Sequence, residues 1–445
     1  MSPSATSQID VRAVVDEAVA SRAEALHAVG RFLWENPETR FEEHKAHDTL
    51  CVFLESEGGL GKAPRICEAC HPVANAAAIP IVRERPSQLA EPHCPGRYML
   101  PPCVEAIVAG EMTSLSAKVT GDAGSPVVAL LCEYDALPGL GHACGHNLIA
   151  ESAVSAAVAA RELIRRSELC EAPVKGKIVV LGTPAEEGGM GKELLLRAGA
   201  LDDVDAALMA HPENRAVLRL HLSARCGVSV TFDTIDAPDG ERQASAMDAS
   251  VLAYHNMSLL RASMDPECRM HGVLSTETKT GFDVRRSRLD MNVRAPNTER
   301  VLQMRRDIEA CANAAAKATG CHVTIAEMGP LCKHMNYNES LLRIFQKHAD
   351  EYGMTFNDGP VITGSTSDVG NVSHRLPTIH PVYRIESATF NHTTEFCRVA
   401  GTRKAQETAL LIGKMLALTA FDLLRDPRHL ECAKKEFDGC AALVV

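Results

Sequence analysis

Hydrophobic and polar positions alternate along this chain in two different rhythms. Residues 11–35 repeat apolar side chains at helical spacing among many alanines, and residues 41–56 continue as a second helix. Residues 127–132 form a short apolar run of strand type, followed at 149–167 by an Ala-rich segment with helical spacing. A second apolar run at 177–181 carries β-branched residues, a helix is expected at 193–198, and a third strand-like run covers 206–210. Strand, loop, helix, strand, loop, helix, strand predicts an α/β sheet with functional loops at the strand ends.

After His211 the rhythm changes. A strand is expected at 224–232, a helix at 246–261, a strand at 288–293, a long helix at 297–319 and a strand at 321–327. This order predicts a small α+β domain inserted into the first one, after which the chain returns and closes with a helix at 403–424. The expected division is therefore 1–215, 216–332 and 333–445, with an unusual insertion near 60–120. At 445 residues the chain exceeds what one hydrophobic core usually serves, in keeping with two domains.

Composition narrows the function classes. A formal net charge of -11 argues against nucleic acid or an anionic membrane as the main partner and leaves a small-molecule substrate. There is no apolar run of membrane-spanning length, and residues 1–10 lack the basic and apolar regions of a signal peptide, so a cytoplasmic location is expected. Sixteen cysteines scattered through strand and helix patterns read as reduced, mostly buried thiols.

Four local runs carry the chemistry. Gly141-His-Ala-Cys-Gly-His-Asn147 can put the Cys144 thiolate and the His146 imidazole on one cation, with glycines allowing a tight turn. Gly182-Thr-Pro-Ala-Glu-Glu-Gly-Gly-Met190 places Glu186 and Glu187 just past a strand end. Neighbouring positions there point in different directions, so one carboxylate can bind a metal while the other faces a substrate water. His211 ends the third strand-like run, and His392 lies in Phe390-Asn-His-Thr-Thr-Glu-Phe396. Taken singly, each histidine is more often structural than ligating. Together these residues point to a metal-dependent hydrolase.

With these runs, the chain resembles the metallopeptidase family of aminoacylases, bacterial carboxypeptidases and auxin-conjugate hydrolases. It is most similar to the branch of aminobenzoyl-glutamate hydrolases and β-alanyl-lysine dipeptidases. The matching text includes Trp34-Glu-Asn-Pro-Glu38, Glu133-Tyr-Asp-Ala-Leu-Pro-Gly139, Met209-Ala-His-Pro212, Gly364-Ser-Thr-Ser-Asp-Val-Gly-Asn-Val-Ser373, Ile379-His-Pro381 and Asn391-His-Thr393. The resemblance implies a zinc-exopeptidase-like catalytic domain with an inserted α+β lid that also forms homodimers. It implies that Cys144, His146, Glu187, His211 and His392 bind one or two divalent metals, with Glu186 as general base and acid. Zinc suits this mixed ligand set, with manganese or cobalt as alternatives in a carboxylate-bridged pair. Asp135, Ser367, Asp368 and Asn371 are expected to face the substrate, although a turn-shaping role explains the last three equally well.

The chain also departs from the family. The insertion contains Cys67-Glu-Ala-Cys70-His71, His93-Cys94 and Cys103, which could hold a structural zinc or be incidental thiols. Family members usually carry a lid histidine that stabilises the oxyanion, but no His lies between Gly227 and Tyr254 here. Where the family reads Pro-Asn-Val-Ile-Pro, this chain has Thr280-Gly-Phe-Asp-Val284. His221 and His255 are candidates to replace the lid histidine, and Arg242, Arg285 and Arg286 could supply substitute cations. Three readings follow: hydrolysis of the amide of an N-acyl amino acid or unusual dipeptide, a non-hydrolytic biosynthetic enzyme on the same scaffold, or a silent binding homologue.

Overall fold

Four buried parallel strands carry the first domain in the computed structural model, which describes residues 10–57, 114–115, 125–169, 173–235, 244–278, 284–357, 361–362 and 364–441. The sheet order is Ser114–Leu115, Lys177–Gly182, Val127–Cys132, Ala206–Leu208 and Thr378–Ile379, with only the first strand antiparallel. Strands covered on both faces need apolar side chains on both, which is why Val127–Cys132 reads as a continuous run. Val128, Leu130 and Cys132 face one hydrophobic cluster, while Ala129 and Leu131 face another.

The first face is covered by helices Val11–Glu35, His146–Ser167 and Arg403–Arg425. Small residues let these helices approach closely. A Cβ on Gly413 would lie 2.7 Å from the Ser155 Oγ, and one on Gly30 would lie 2.1 Å from the Glu151 carboxylate. Helix His146–Ser167 starts three residues earlier than its hydrophobic spacing indicates, because the left-handed Gly145 at φ 85° lets His146 open it. The expected helix at 41–56 instead begins at His44, since Phe41 adopts φ 62° and packs its ring beside Gly189.

The second sheet is antiparallel, in the order His322–Glu327, Ala224–Asp233, Val284–Ala295, Arg269–Thr278. Helices Ala246–Ala262 and Thr298–Thr319 close its core. Strand Arg269–Thr278 was not expected from the sequence. It is an edge strand with mostly exposed side chains, so burial imposes no alternation on it. Backbone pairs join the two domains where the chain crosses between them. Arg225 and Cys332 exchange N–H···O bonds of 2.8 and 2.9 Å, and Ser223 N–H donates to Ser365 O at 2.7 Å. Among the described residues, no helix is long and apolar enough to cross a membrane.

One buried carboxyl in the helical layer sets a pH dependence. Glu151 accepts a hydrogen bond from His27 Nδ1 at 2.7 Å, and both side chains are buried. Burial pushes the Glu151 carboxyl up to about 7, against the hydrogen bonds from His27 and Gln406 that lower it. A carboxyl that holds its proton more tightly when folded favours the fold at low pH and loses that contribution as pH rises from 4.5 through about 7. Glu151→Gln is expected to flatten the fall of Tm over this window in calorimetric scans. A variant whose Tm falls as steeply as that of the wild type contradicts the assignment.

Candidate metal centre

The chemistry-bearing loops all leave the C-terminal ends of neighbouring parallel strands. Val127–Cys132 runs into Glu133 and Asp135, and the loop then turns at Gly141 and Gly145 with φ 65° and 85°. A Cβ on Gly145 would lie 2.5 Å from Pro212 Cγ, so only glycine lets Cys144 sit against the His211 segment. Lys177–Gly182 delivers Glu186 and Glu187 through Ala185, a left-handed residue at φ 57° whose N–H donates to Glu43 Oε1 at 2.8 Å. Strand His211–Glu213 pairs with Val382–Arg384, and His392, also left-handed at φ 66°, is tied by its N–H to Ala143 O. Strained backbone thus clusters where the functional side chains are, each position costing about 1–3 kcal/mol that the surrounding packing offsets.

These loops bring together Cys144, His146, Glu186, Glu187, His211 and His392. Cys144 Sγ lies 3.5 Å from His211 Nε2, and His392 Nε2 lies 3.1 Å from Glu187 Oε1. Four triplets present ligand atoms within 4.8 Å of one another: Cys144 with His146 and His211, Cys144 with Glu187 and His392, His146 with Glu186 and Glu187, and Glu186 with Glu133 and Asp368. His211 Nδ1 faces Pro212 O at 2.8 Å, which makes it the N–H and leaves the Nε2 lone pair toward Cys144. His146 Nδ1 bonds Asp135 Oδ1 at 2.9 Å, which turns its Nε2 to the other side, 3.3 Å from Glu133 Oε2.

The donor set fits a divalent cation. His146 Nε2 and Glu133 Oε2 are buried 3.3 Å apart, and Glu187 Oε1 is buried 3.1 Å from His392 Nε2, contacts without well-formed hydrogen-bond geometry that an electropositive centre between these groups would satisfy. Burial pushes the Cys144 thiol well above its ordinary value, against the His146 imidazole, so it ionises readily only beside a cation. Sulfur, imidazole nitrogen and carboxylate oxygen together are a zinc-type set.

A buried charge triad lies behind this centre. Lys192 Nζ bonds Glu133 Oε1 at 2.5 Å and Asp368 Oδ1 at 2.7 Å, with all three side chains buried. Burial pushes the Glu133 carboxyl up, but Lys192, His146 and His211 outweigh it and hold the group at about 2. On Glu186, burial and the like charges of Glu133, Asp368 and Glu187 outweigh His146, and its pKa is raised well above the usual carboxylate range. For Glu187, burial is opposed by His392 and His146, and the net direction is down. Adjacent carboxylates therefore differ: Glu187 stays ionised, and Glu186 is disposed to accept a proton.

The cavity in front, of about 410 Å³, is lined from both domains. Ser367 and Asp368 are on its wall, but Asp135 and Asn371 are not. Asp135 is 0 % exposed and holds His146 with one oxygen and the Glu187 N–H with the other, at 2.8 Å, so it is turned toward these two residues and not toward the cavity. Asn371 ties loops together through Glu193, Leu331 and Lys333. His221 and His255 do not line the cavity, and Arg286 is paired with Asp233 at 2.7 Å; Arg285 is also off the wall. Arg242, residues 280–283 and the Cys67-to-Cys103 insertion lie outside the described residues.

Sequence reasoning missed Arg225, Arg294 and His380 on the cavity wall, and Lys192 behind it. Arg225 and Arg294 are register partners on adjacent lid strands. Burial and the Arg225 charge lower the pKa of Arg294, whose Nη1 donates to Gly364 O at 2.9 Å while its Nε is buried without a partner. A signal for His380 did exist: Ile379-His-Pro381 repeats the Ala210-His-Pro212 pattern, and the two follow adjacent parallel strands.

Fold and site together define a metal-dependent amidohydrolase of the peptidase type. The sequence profile of peptidase family M20/M25/M40 matches residues 129–410. The chain belongs to that family. It is 36% identical over 430 residues to an Xaa-Arg dipeptidase of Mus musculus, covering 95% of this chain and 90% of the relative. It is 28% identical over 278 residues to one subunit of the p-aminobenzoyl-glutamate hydrolase of Escherichia coli, covering 58% of this chain and 47% of that one. The fold is shared with a dinuclear metal-binding M20 peptidase of Bacillus subtilis, at TM-score 0.60 and 16% identity, over 90% of this chain and 99% of that one. Hydrolysis of an amide bond in dipeptides or N-acyl amino acids is therefore its reaction class, in place of the biosynthetic and silent-binder readings.

Asp135→Asn keeps the shape of the buried carboxylate but removes its charge. It is expected to weaken metal affinity about 10- to 100-fold in equilibrium dialysis, whereas unchanged affinity would assign Asp135 no role in orienting His146.

Proposed function

We propose that Cys144, His146, Glu187, His211 and His392 hold one or two divalent cations, zinc by the chemistry of the donors, and that Glu186 is the general base and acid of amide hydrolysis. The observation that carries this reading is the convergence of these groups in overlapping triplets whose ligand atoms lie within 4.8 Å, with His146 Nε2 and Glu187 Oε1 buried and lacking a well-formed hydrogen bond. A divalent cation held by these residues would supply Lewis-acid polarisation of the amide carbonyl and would lower the pKa of water from 15.7 to about 7. Glu186, kept from ionising early by burial and by Glu133 and Asp368, takes the proton of the attacking water at its carboxylate and returns it to the leaving nitrogen. Lys192 holds Glu133 and Asp368 in place and limits the repulsion they impose on Glu186.

The Arg225 and Arg294 guanidiniums on the wall favour a substrate with a free carboxylate, as in a dipeptide or N-acyl amino acid. A panel led by Xaa-Arg dipeptides and N-acyl amino acids, each as free acid and carboxamide, tests both parts. Metal-loaded wild type is expected to release amine from free acids and to turn carboxamides over with a KM at least about tenfold higher. Glu186→Gln is expected to keep its metal and lose about 100- to 10,000-fold in kcat. Retained turnover in that variant would remove Glu186 from the mechanism.

Exposed apolar side chains on the lid support a homodimer through that domain. Met247, Val251 and Tyr254 recur at helical spacing on the exposed side of helix Ala246–Ala262, and Val273 is exposed on strand Arg269–Thr278 at the sheet edge. Sedimentation velocity is expected to give a dimer for the wild type and a monomer for Val251→Glu. A wild-type monomer at micromolar concentration would dismiss the interface.

A further inference from the structure

We propose that His380 donates a ring N–H to the carbonyl oxygen of the scissile amide as that oxygen gains negative charge. The inference rests on the reading of this cavity as the site of metal-dependent amide hydrolysis. It starts from placement. Strand Thr378–Ile379 runs parallel to Ala206–Leu208, so the residues just past their ends, His380 and His211, meet with ring centroids 5.6 Å apart. His380 lines the same cavity as Cys144, Glu186 and His392, yet its side chain is only 2 % exposed.

The second observation is chemical. Neither ring nitrogen of His380 has a hydrogen-bond partner among the described residues. His146 and His211, by contrast, each have one nitrogen anchored, on Asp135 and on Pro212 O. An imidazole carries at least one N–H in either ionisation state, so a buried donor is left over whatever the pH. Leaving such a donor unsatisfied costs about 1–3 kcal/mol. Among the described residues, His380 belongs to none of the groups whose ligand atoms converge for a cation. The carbonyl oxygen of a substrate in this cavity is an acceptor that would satisfy the donor.

A donor at this position suits the reaction. As the water oxygen bonds to the carbonyl carbon, the C=O π pair moves onto oxygen, and a preset N–H stabilises that charge without transferring its proton. Glu186 takes the proton of the water and delivers it to the amide nitrogen as the C–N bond breaks, so the protons balance without His380 changing state. The sequence has no histidine between Gly227 and Tyr254 to make this contact from the lid.

The test compares metal-loaded wild type, His380→Ala and His380→Asn by metal analysis, steady-state kinetics, and calorimetric binding of a phosphinic dipeptide isostere and of the amino-acid product. For His380→Ala we expect full metal content, kcat down about 100- to 1000-fold with KM changed less than about threefold, and a parallel loss for the tetrahedral phosphinate but not the product. His380→Asn, which retains an N–H donor and guards against misfolding of the alanine variant, is expected to recover at least about tenfold of that loss. Loss of metal, or equal weakening of phosphinate and product, overturns the proposal, as does unchanged kcat. A wild type that hydrolyses no amide defeats the proposed function instead, and phosphinate affinity then still decides whether His380 is the donor.

Discussion

The whole centre depends on one buried carboxylate, that of Asp135. It accepts His146 Nδ1–H with one oxygen and the Glu187 N–H with the other, joining the loops that follow two adjacent parallel strands. Two hydrogen bonds to a single rigid group fix the relative position of His146 and Glu187, which lie far apart in sequence. The same bond settles the His146 tautomer, turning Nε2 toward Cys144 and Glu187. Without this link the strand ends would still be neighbours, but their side chains would have no common focus.

Electrostatics then dictates what the focus can be used for. Glu133, Asp135, Glu186, Glu187 and Asp368 crowd one region with Lys192 as the buried cation among them. Such an excess of carboxylate, together with a thiol that burial keeps from ionising, is relieved by protons held on Glu186 and His146 or by a bound cation. The surplus also divides the two glutamates, since like charges around Glu186 raise its proton affinity while His392 and His146 keep Glu187 ionised. Neighbouring, chemically identical residues thereby take opposite parts.

Much of this was legible in the chain itself. The parallel strands stood out as apolar runs because both faces are covered, and each run led directly into a loop rich in Cys, His or Glu. Other parts were not legible, for identifiable reasons. Edge strand Arg269–Thr278 has no buried face to impose alternation. Asp135 sits in a motif that looks substrate-facing, and only the direction of its side chain shows it turned toward His146. Arg225 and Arg294 looked like ordinary lid charges until strand register placed them side by side over the cavity.

What the sequence by itself determined is the kind of chemistry: donor types are local facts, carried in short runs at strand ends, and metal-ligand character follows from residue type and spacing. The tertiary structure decided which side chains share the site and which only support it. Lys192, His380 and the arginine pair acquire meaning from distant contacts, spanning 59 and 176 residues of chain for Lys192 alone, and no local pattern encodes such pairings. Burial decided the rest, because the same glutamate or histidine becomes a base, a ligand or an unpartnered donor according to what surrounds it.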